Sequence, residues 1–243
     1  MRHRSVVLAL ALVTAWPTTA QSPWKGDNLQ HFPKDITRDA LVQRMREFSF
    51  ALGVRCQYCH TGGDGVSFDG VVFASDDKPA KVKARAMLKM VDEINQSLLT
   101  KIPSRASPRV EVNCASCHRG LALPKSLQTT LFEIVQKDGV APAVARYREL
   151  RKDRMGTGSY DFGQWEINEL ARRLAEARNF DAAIAIYDMN AEFHPAAAEI
   201  DFLAGEVELA RGNRGKAAAR YRTVLQKSPG HPGALGRLKQ LER

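Results

Sequence analysis

Two pentapeptides of one pattern hold all four cysteines of this chain. They are CQYCH at residues 56–60 and CASCH at residues 114–118. The C-x-x-C-H spacing is the attachment pattern of c-type haem, in which both thiols bond to the porphyrin edge and the histidine binds the iron. The chain is therefore predicted to bind two haems covalently. The predicted haem-binding residues are Cys56, Cys59, His60, Cys114, Cys117 and His118, with His60 and His118 as the proximal iron ligands.

Paired cysteines have two other common uses. Four thiolates can hold a structural zinc ion, and C-x-x-C pairs can form redox-active disulfides of the thioredoxin type. Neither use requires a histidine directly after both pairs, and the separation between Cys59 and Cys114 is longer than a compact zinc ribbon needs. The pattern therefore favours covalent haem over zinc or disulfides.

A helix before the first motif supplies a candidate for the second axial ligand of the first iron. Residues 37–52 are predicted to form this helix, capped by Thr37 and carrying one apolar stripe with Met45 in its middle. A methionine opposite a histidine is a common iron environment in electron-transfer proteins. Met45 is therefore predicted as the ligand opposite His60, with His31 as its rival.

A helix between the motifs supplies the corresponding candidate for the second iron. Residues 76–99 are predicted to form it, with Asp76 and Asp77 as acidic cap residues and Pro79 in the first turn. Met87 falls on its apolar face, whereas Met90 lies at the edge of that face. Met87 is therefore predicted as the ligand opposite His118, and Met90 is the alternative. A proline-containing loop over residues 100–113 is expected to return the chain, so that the second motif lies beside this helix.

The amino terminus has the layout of a secretory signal peptide. A basic start is followed by an apolar run over residues 6–16 and by small residues that end at Ala20. The apolar run is about half of what is needed to cross a bilayer, so cleavage after Ala20 is predicted rather than retention as an anchor. No later stretch is long and apolar enough to span a membrane. The mature chain is therefore predicted to be soluble and periplasmic, a compartment in which four unmodified cysteines would be expected to pair.

The charge of the chain is basic. The formal net charge is +9, and it becomes +7 once Arg2 and Arg4 leave with the signal peptide. An excess of positive charge favours encounter with acidic proteins or anionic lipid surfaces. Nucleic acid is not predicted as a partner, because an exported protein meets little of it and the chain has no recognition motif.

A repeat of 34 positions appears in the carboxy-terminal half. The repeated positions are Asn179, Ala183, Tyr187 and Pro195, which recur as Asn213, Ala217, Tyr221 and Pro229. This period and these residues resemble the tetratricopeptide repeat, in which each helical hairpin buries one face against its neighbour. The predicted helices span residues 165–178, 180–193, 197–211, 215–226 and 232–242, and a degenerate earlier repeat is predicted over residues 131–152.

The haem motifs and the segments around them resemble a known family. The stretch over residues 28–120 contains ALGVRCQYCH, FASDDKPAKVKARAMLKMVDEIN and NCASCHRG, and it is similar to the cytochrome c subunit of bacterial photosynthetic reaction centres. It looks in particular like the small dihaem relatives of that subunit from non-photosynthetic bacteria. The resemblance implies sites built from a helix with a methionine, a turn and C-x-x-C-H, which pairs Met45 with the first motif and Met87 with the second.

These observations predict a mainly α-helical protein of two parts behind a signal peptide. The predicted ranges are 1–20 for the signal peptide, 24–128 for a dihaem cytochrome c domain, and 129–243 for a tetratricopeptide-like helical solenoid. The predicted function is the transfer of single electrons between a redox donor protein and an acceptor, with the repeats docking a protein partner, and not catalysis. The alternatives are a dihaem peroxidase, which needs an open iron position and an acid/base group, and a repeat-based adaptor with structural cysteines.

Overall fold

The computed structural model describes residues 26–103 and 109–242. The predicted signal peptide and its cleavage after Ala20 lie outside the described residues, as do residues 104–108 of the loop predicted before the second motif. Within the described ranges the fold is mainly α-helical and contains one two-stranded sheet, so the predicted fold class is confirmed. None of the helices in these ranges has the length and apolar character needed to cross a bilayer.

The first helix forms where the apolar spacing predicts it. Helix α1 (Arg38–Leu52) has Thr37 as its N-cap, and the Thr37 side chain accepts a hydrogen bond from the backbone N–H of Ala40. The helix ends at Gly53, whose φ of 64° lies in the left-handed region that glycine adopts at little cost. Its predicted apolar stripe is half-buried along its length.

A small hairpin follows the first motif. Strand β1 (Thr61–Gly62) pairs antiparallel with strand β2 (Val71–Val72), with Thr61 opposite Val72. The sequence predicts a flexible turn over residues 61–65 and a small strand or haem-edge contact over residues 71–73. Strand β2 lies within the second of these ranges, whereas β1 was not predicted, because its pairing with β2 depends on residues that are not its neighbours in the chain.

The second helix passes through three helical forms: α2 (Pro79–Glu93), a π-helical turn (Ile94–Leu98) and a 3-10 turn (Leu99–Lys101). The predicted capping by acidic residues is wrong, since the N-cap is Lys78 and no side chain caps this end. Asp76 instead forms ion pairs with two cations of α2, Lys81 and Arg85.

The second motif and the carboxy-terminal half are helical. The remaining elements are α3 (Cys114–His118), α4 (Leu127–Asp138), α5 (Val140–Arg154), α6 (Gln164–Glu176), α7 (Phe180–Phe193), α8 (Ala198–Ala210), α9 (Arg214–Lys227) and α10 (Pro232–Leu241). From α4 to α10 each helix of a hairpin packs on its neighbour, and α6 also packs on α4 and α8, as stacked hairpins do. Helices α6 to α10 begin and end within two residues of the predicted bounds, whereas the resemblance to tetratricopeptide repeats stays a prediction.

The buried core lies in the carboxy-terminal half. Among the described residues before Leu127 only Ala51 is buried, whereas both members of the repeated pairs Ala183 and Ala217, and Tyr187 and Tyr221, are buried. The repeated positions are thus core positions. The described residues of the haem-motif half form no comparable core among their own side chains.

Candidate haem-binding site

The second motif is a short capped helix. In α3 the thiols of Cys114 and Cys117 stand three residues apart, which places them on neighbouring positions of one helical face. Asn113 caps this helix by accepting a hydrogen bond from the N–H of Ser116 at 3.2 Å, and the Ser116 hydroxyl accepts one from the N–H of Asn113 at 3.1 Å. This reciprocal cap stabilises a helix of only five residues. No helix is predicted here from the sequence, although the Asn-x-x-Ser pattern of the cap is present.

The imidazole of His118 is oriented by a backbone carbonyl. Its Nδ1 lies 2.8 Å from the carbonyl oxygen of Leu121. A carbonyl oxygen only accepts, so Nδ1 carries the hydrogen and Nε2 of the neutral ring carries the lone pair. An outer hydrogen bond of this kind is typical of metal-binding histidines, because it holds the tautomer and makes the ligand nitrogen more basic.

The turn after His118 is packed against α1. The backbone N–H of Leu121 donates to the carbonyl of His118 at 2.9 Å, and the N–H of Gly120 donates to the carbonyl of Ala51 at 2.8 Å. Helix α1 also packs on α3. From the sequence, α1 is predicted to serve the first motif alone, whereas this helix also packs against the second motif.

The chain entering the second motif is held by the end of the second helix. The side chain of Asn95 donates to the carbonyl of Val112 and accepts from the N–H of Val112, both at 2.8 Å. Val112 is two residues before Cys114. The second motif therefore lies next to the helix between the motifs, as the sequence predicts.

The first motif forms a 3-10 turn over Cys56–Tyr58, and the N–H of His60 donates to the carbonyl of Cys56 at 2.9 Å. The ring of His60 meets the ring of Phe73 edge-on, with the centroids 5.1 Å apart. Burial raises the pKa of the Cys59 thiol, and the nearby Cys56 raises it further. No disulfide joins any of the four cysteines.

Burial lowers the pKa of His60, and the positive charge of Lys81 lowers it further. The backbone of Phe73 opposes this shift, yet Nδ1 of His60 is buried and makes no well-formed hydrogen bond within the described residues. A lowered pKa keeps the imidazole neutral at pH 7, which is the form that binds a metal ion.

Lys81 also fixes the segment that carries Phe73. Its Nζ donates to the carbonyls of Phe73 and Ser75 at 2.8 and 2.7 Å, and it lies 3.0 Å from a carboxylate oxygen of Asp76. Arg85 donates to the other oxygen of Asp76 at 2.8 Å. Lys81 and Arg85 of α2, joined by the Asp76 carboxylate, thereby hold the segment whose Phe73 ring contacts His60.

This arrangement predicts a pH-dependent contribution from Asp76. Arg85, then Asn28 and Lys81, hold the pKa of Asp76 well below its usual range. Its stabilising effect is therefore complete above the unfolded-state pKa of about 4 and is lost as the pH falls below that value. Asp76→Asn is expected to lower the urea midpoint of unfolding at pH 7. At pH 3 the midpoints of the variant and the wild type are expected to lie closer together.

The control is Asp77→Asn, at an exposed neighbour that forms no ion pair in the described part of the chain. Its urea midpoint is expected to follow the wild type at both pH values. An Asp76→Asn difference that grows from pH 7 to pH 3 would contradict the assigned role of the carboxylate.

The candidate distal ligands lie on the two helices as predicted. Met45 is half-buried on α1, and Met87 and Met90 of α2 are exposed to 48% and 47%, so exposure does not choose between them. His31 places Nε2 3.6 Å from a carboxylate oxygen of Asp92 on α2. The roles of Met45 and Met87 stay predictions, with Met90 and His31 as alternatives.

The residues present fit a large apolar group held by thiols and imidazoles. The haem-motif half of this protein, before Leu127, exposes many large apolar side chains. Such exposure marks a binding surface for an apolar ligand or partner. In the described residues before Leu127 these are Phe50, Tyr58, Val66, Phe68, Val72, Phe73, Val82, Met87, Met90, Leu98, Ile102, Val110 and Leu123. Within the described ranges, which include all four cysteines, no three histidine, cysteine or acidic side chains come together as a metal-binding group.

Comparison with known proteins agrees with this chemistry. The chain is 29% identical over an alignment of 123 residues to cytochrome c-554 of Chloroflexus aurantiacus, and this alignment covers 42% of this chain and 27% of that protein. It is 35% identical over 81 residues to the photosynthetic reaction center cytochrome c subunit of Roseobacter denitrificans, which covers 33% of this chain and 20% of that protein. The matched segments are thus about a quarter or less of the length of these relatives.

A family model described as the photosynthetic reaction centre cytochrome C subunit matches residues 55–158. The matched range includes both C-x-x-C-H motifs and continues through α4 and α5, whereas Met45 lies before it. Over residues 55–158, which make up less than half of the chain, this protein is therefore similar to the photosynthetic reaction centre cytochrome c subunit family.

Proposed function

We propose that this chain is an exported, periplasmic c-type cytochrome that carries two covalently attached haems and passes single electrons between a redox donor protein and an acceptor. The observation that carries the proposal is the second motif: a capped helix presents two thiols on one face, and a carbonyl holds the next histidine in the tautomer that leaves Nε2 available. The family match over both motifs supports the same chemistry.

Each site would use its own set of residues. Cys56 and Cys59 would attach the first haem beside His60, and the thiols and imidazole of α3 would hold the second. The haem supplies a one-electron carrier when bound, with a potential that depends on its axial ligands and surroundings. The exposed apolar side chains around the motifs would cover the porphyrin and exclude water.

The helical hairpins would dock a redox partner. A shallow groove of about 280 Å³ lies where α6, α7 and α8 meet. Its walls combine apolar residues with charged ones, including Leu203, Val207, Arg172 and Glu206. A mixed surface of this kind suits a transient protein contact, in which charge guides the approach and apolar area holds the complex.

The test of the proposal is the intact mass of the protein purified from a host that attaches c-type haem. The expected mass is that of the chain from Gln21 plus two haems. A mass without haem would overturn the proposal and return the cysteines to zinc, disulfides or a structural role in an adaptor. Turnover of peroxide by the pure protein would instead favour the peroxidase alternative.

The distal ligands are tested by substitution. Met45→Ala and Met87→Ala are each expected to change the absorption spectrum and the reduction potential of one haem only, because a lost thioether removes one axial ligand from one iron. Met155→Ala, at an exposed methionine outside both sites, is the control and should change neither haem. Met90→Ala decides the alternative: if it moves the second haem and Met87→Ala does not, Met90 is the ligand.

A further inference from the structure

We propose that Ser159 positions the iron ligand His118 and thereby sets the reduction potential of the second haem. Ser159 lies in the loop between α5 and α6, one residue beyond the segment that matches the family. This inference rests on the proposed function, since it concerns the haem held at the second motif.

Ser159 is buried, and its hydroxyl hydrogen bonds to one backbone carbonyl. The residue is 2% exposed, and its Oγ donates to the carbonyl oxygen of Arg119 at 2.8 Å. The carbonyl only accepts, so the hydroxyl hydrogen lies in this bond. The neighbouring Thr157 hydroxyl donates to the Ser159 Oγ at 3.0 Å, so the Ser159 oxygen accepts in that bond and its own hydrogen remains for Arg119.

The Arg119 carbonyl belongs to a peptide group that is held from both sides. The same peptide group contains the N–H of Gly120, which donates to the carbonyl of Ala51 at the end of α1. This planar peptide group is thus held by the Ser159 hydroxyl at its carbonyl oxygen and by the Ala51 carbonyl of α1 at its N–H. Arg119 has a φ of 48°, a left-handed conformation that a residue with a side chain adopts only when its surroundings hold it there.

This peptide group controls the outer hydrogen bond of His118. It forms the middle of the turn that brings the carbonyl of Leu121 back to Nδ1 of His118. A strong bond from Nδ1 to a carbonyl makes the ligand nitrogen a better electron donor, which favours the oxidised iron. Loosening the turn weakens that bond, so the potential of the second haem should rise.

The loop that carries Ser159 is itself anchored in the helical half. Three residues further on, the buried ring of Phe162 lies edge-on against Tyr147 of α5, with centroids 5.9 Å apart, and its carbonyl accepts from His194 after α7 at 3.1 Å. Because these contacts fix the loop, a movement of the hairpins relative to the second motif would move Ser159 and with it the peptide group between Arg119 and Gly120. The helical half would therefore adjust the redox chemistry of the second site as well as dock a partner.

The experiment is a spectroelectrochemical titration of the full-length, haem-loaded protein with Ser159→Ala. The reduction equilibrium of the second haem is expected to shift about threefold to tenfold towards the reduced form, about 30 to 60 mV for one electron, while the first haem is unchanged. The curve of the first haem alone comes from a full-length chain with Cys114→Ala and Cys117→Ala.

The matched control is Ser126→Ala, which removes a serine hydroxyl that caps α4 by accepting from the N–H of Thr129. It costs a hydrogen bond in the same half of the protein, and it should leave both potentials unchanged. The intact mass of each variant is measured alongside. Unchanged or lowered potential in Ser159→Ala with two haems attached, or an equal shift in Ser126→Ala, overturns the positioning role and leaves the proposed function intact. Absence of haem from the second motif of the wild type overturns both.

Discussion

A chain with Cys114→Ala and Cys117→Ala is expected to carry one covalently attached haem instead of two, and so to lose half of its haem absorbance. The reason is that the two motifs lie on separate elements, a 3-10 turn before β1 and the helix α3. The reciprocal pair, Cys56→Ala and Cys59→Ala, should retain the other haem. Intact mass and haem staining of the denatured protein measure the result.

The helical half provides the internal control for this prediction. Its core begins at Leu127 and contains no residue of either motif, so both double variants should keep the α-helical circular dichroism of α4 to α10. Loss of both haems from either double variant, in a protein that keeps this signal, would show that the two sites are not independent. Retention of both haems would show that the thiols do not attach them.

Gly53→Ala is expected to lower the free energy of unfolding by about 2 to 4 kcal/mol. Gly53 ends α1 with a φ of 64°, and a Cβ placed there would lie 2.2 Å from the carbonyl oxygen of Gly120. The obstacle is backbone, so it cannot rotate away. The substitution must separate α1 from the turn after His118 and break the hydrogen bond from Gly120 to Ala51. Urea unfolding of the haem-loaded protein measures the loss.

A second glycine separates the two sources of this cost. Gly65 also has a positive φ, of 85°, but a Cβ placed there meets nothing within 4 Å. Gly65→Ala therefore carries the left-handed strain without the collision and is expected to cost about 1 kcal/mol. If the two variants are equally stable, the close approach of Gly53 to Gly120 does not contribute to stability.

Local patterns were enough to predict most of the helices. Thr37 indicated the start of α1 because a threonine side chain caps a helix through backbone N–H groups that follow it closely in the chain. The repeat pattern of the carboxy-terminal half predicted the bounds of α6 to α10 to within two residues. The two motifs were readable for the same reason, since the chemistry of haem attachment depends on residues that are neighbours in the chain.

The contacts that join distant segments could not be predicted from such patterns. Nothing near Asn95 in the sequence indicates that its amide will hold Val112, and nothing near Ser159 indicates a bond to Arg119, because each hydrogen bond depends on where two remote pieces of chain come to lie. The sequence by itself determined which residues can attach haem and where the helices run. Only the tertiary structure decided that α1 and the α5–α6 loop both hydrogen-bond to the peptide group beside His118. Such bonds form only after packing has brought the two partners within about 3 Å of each other.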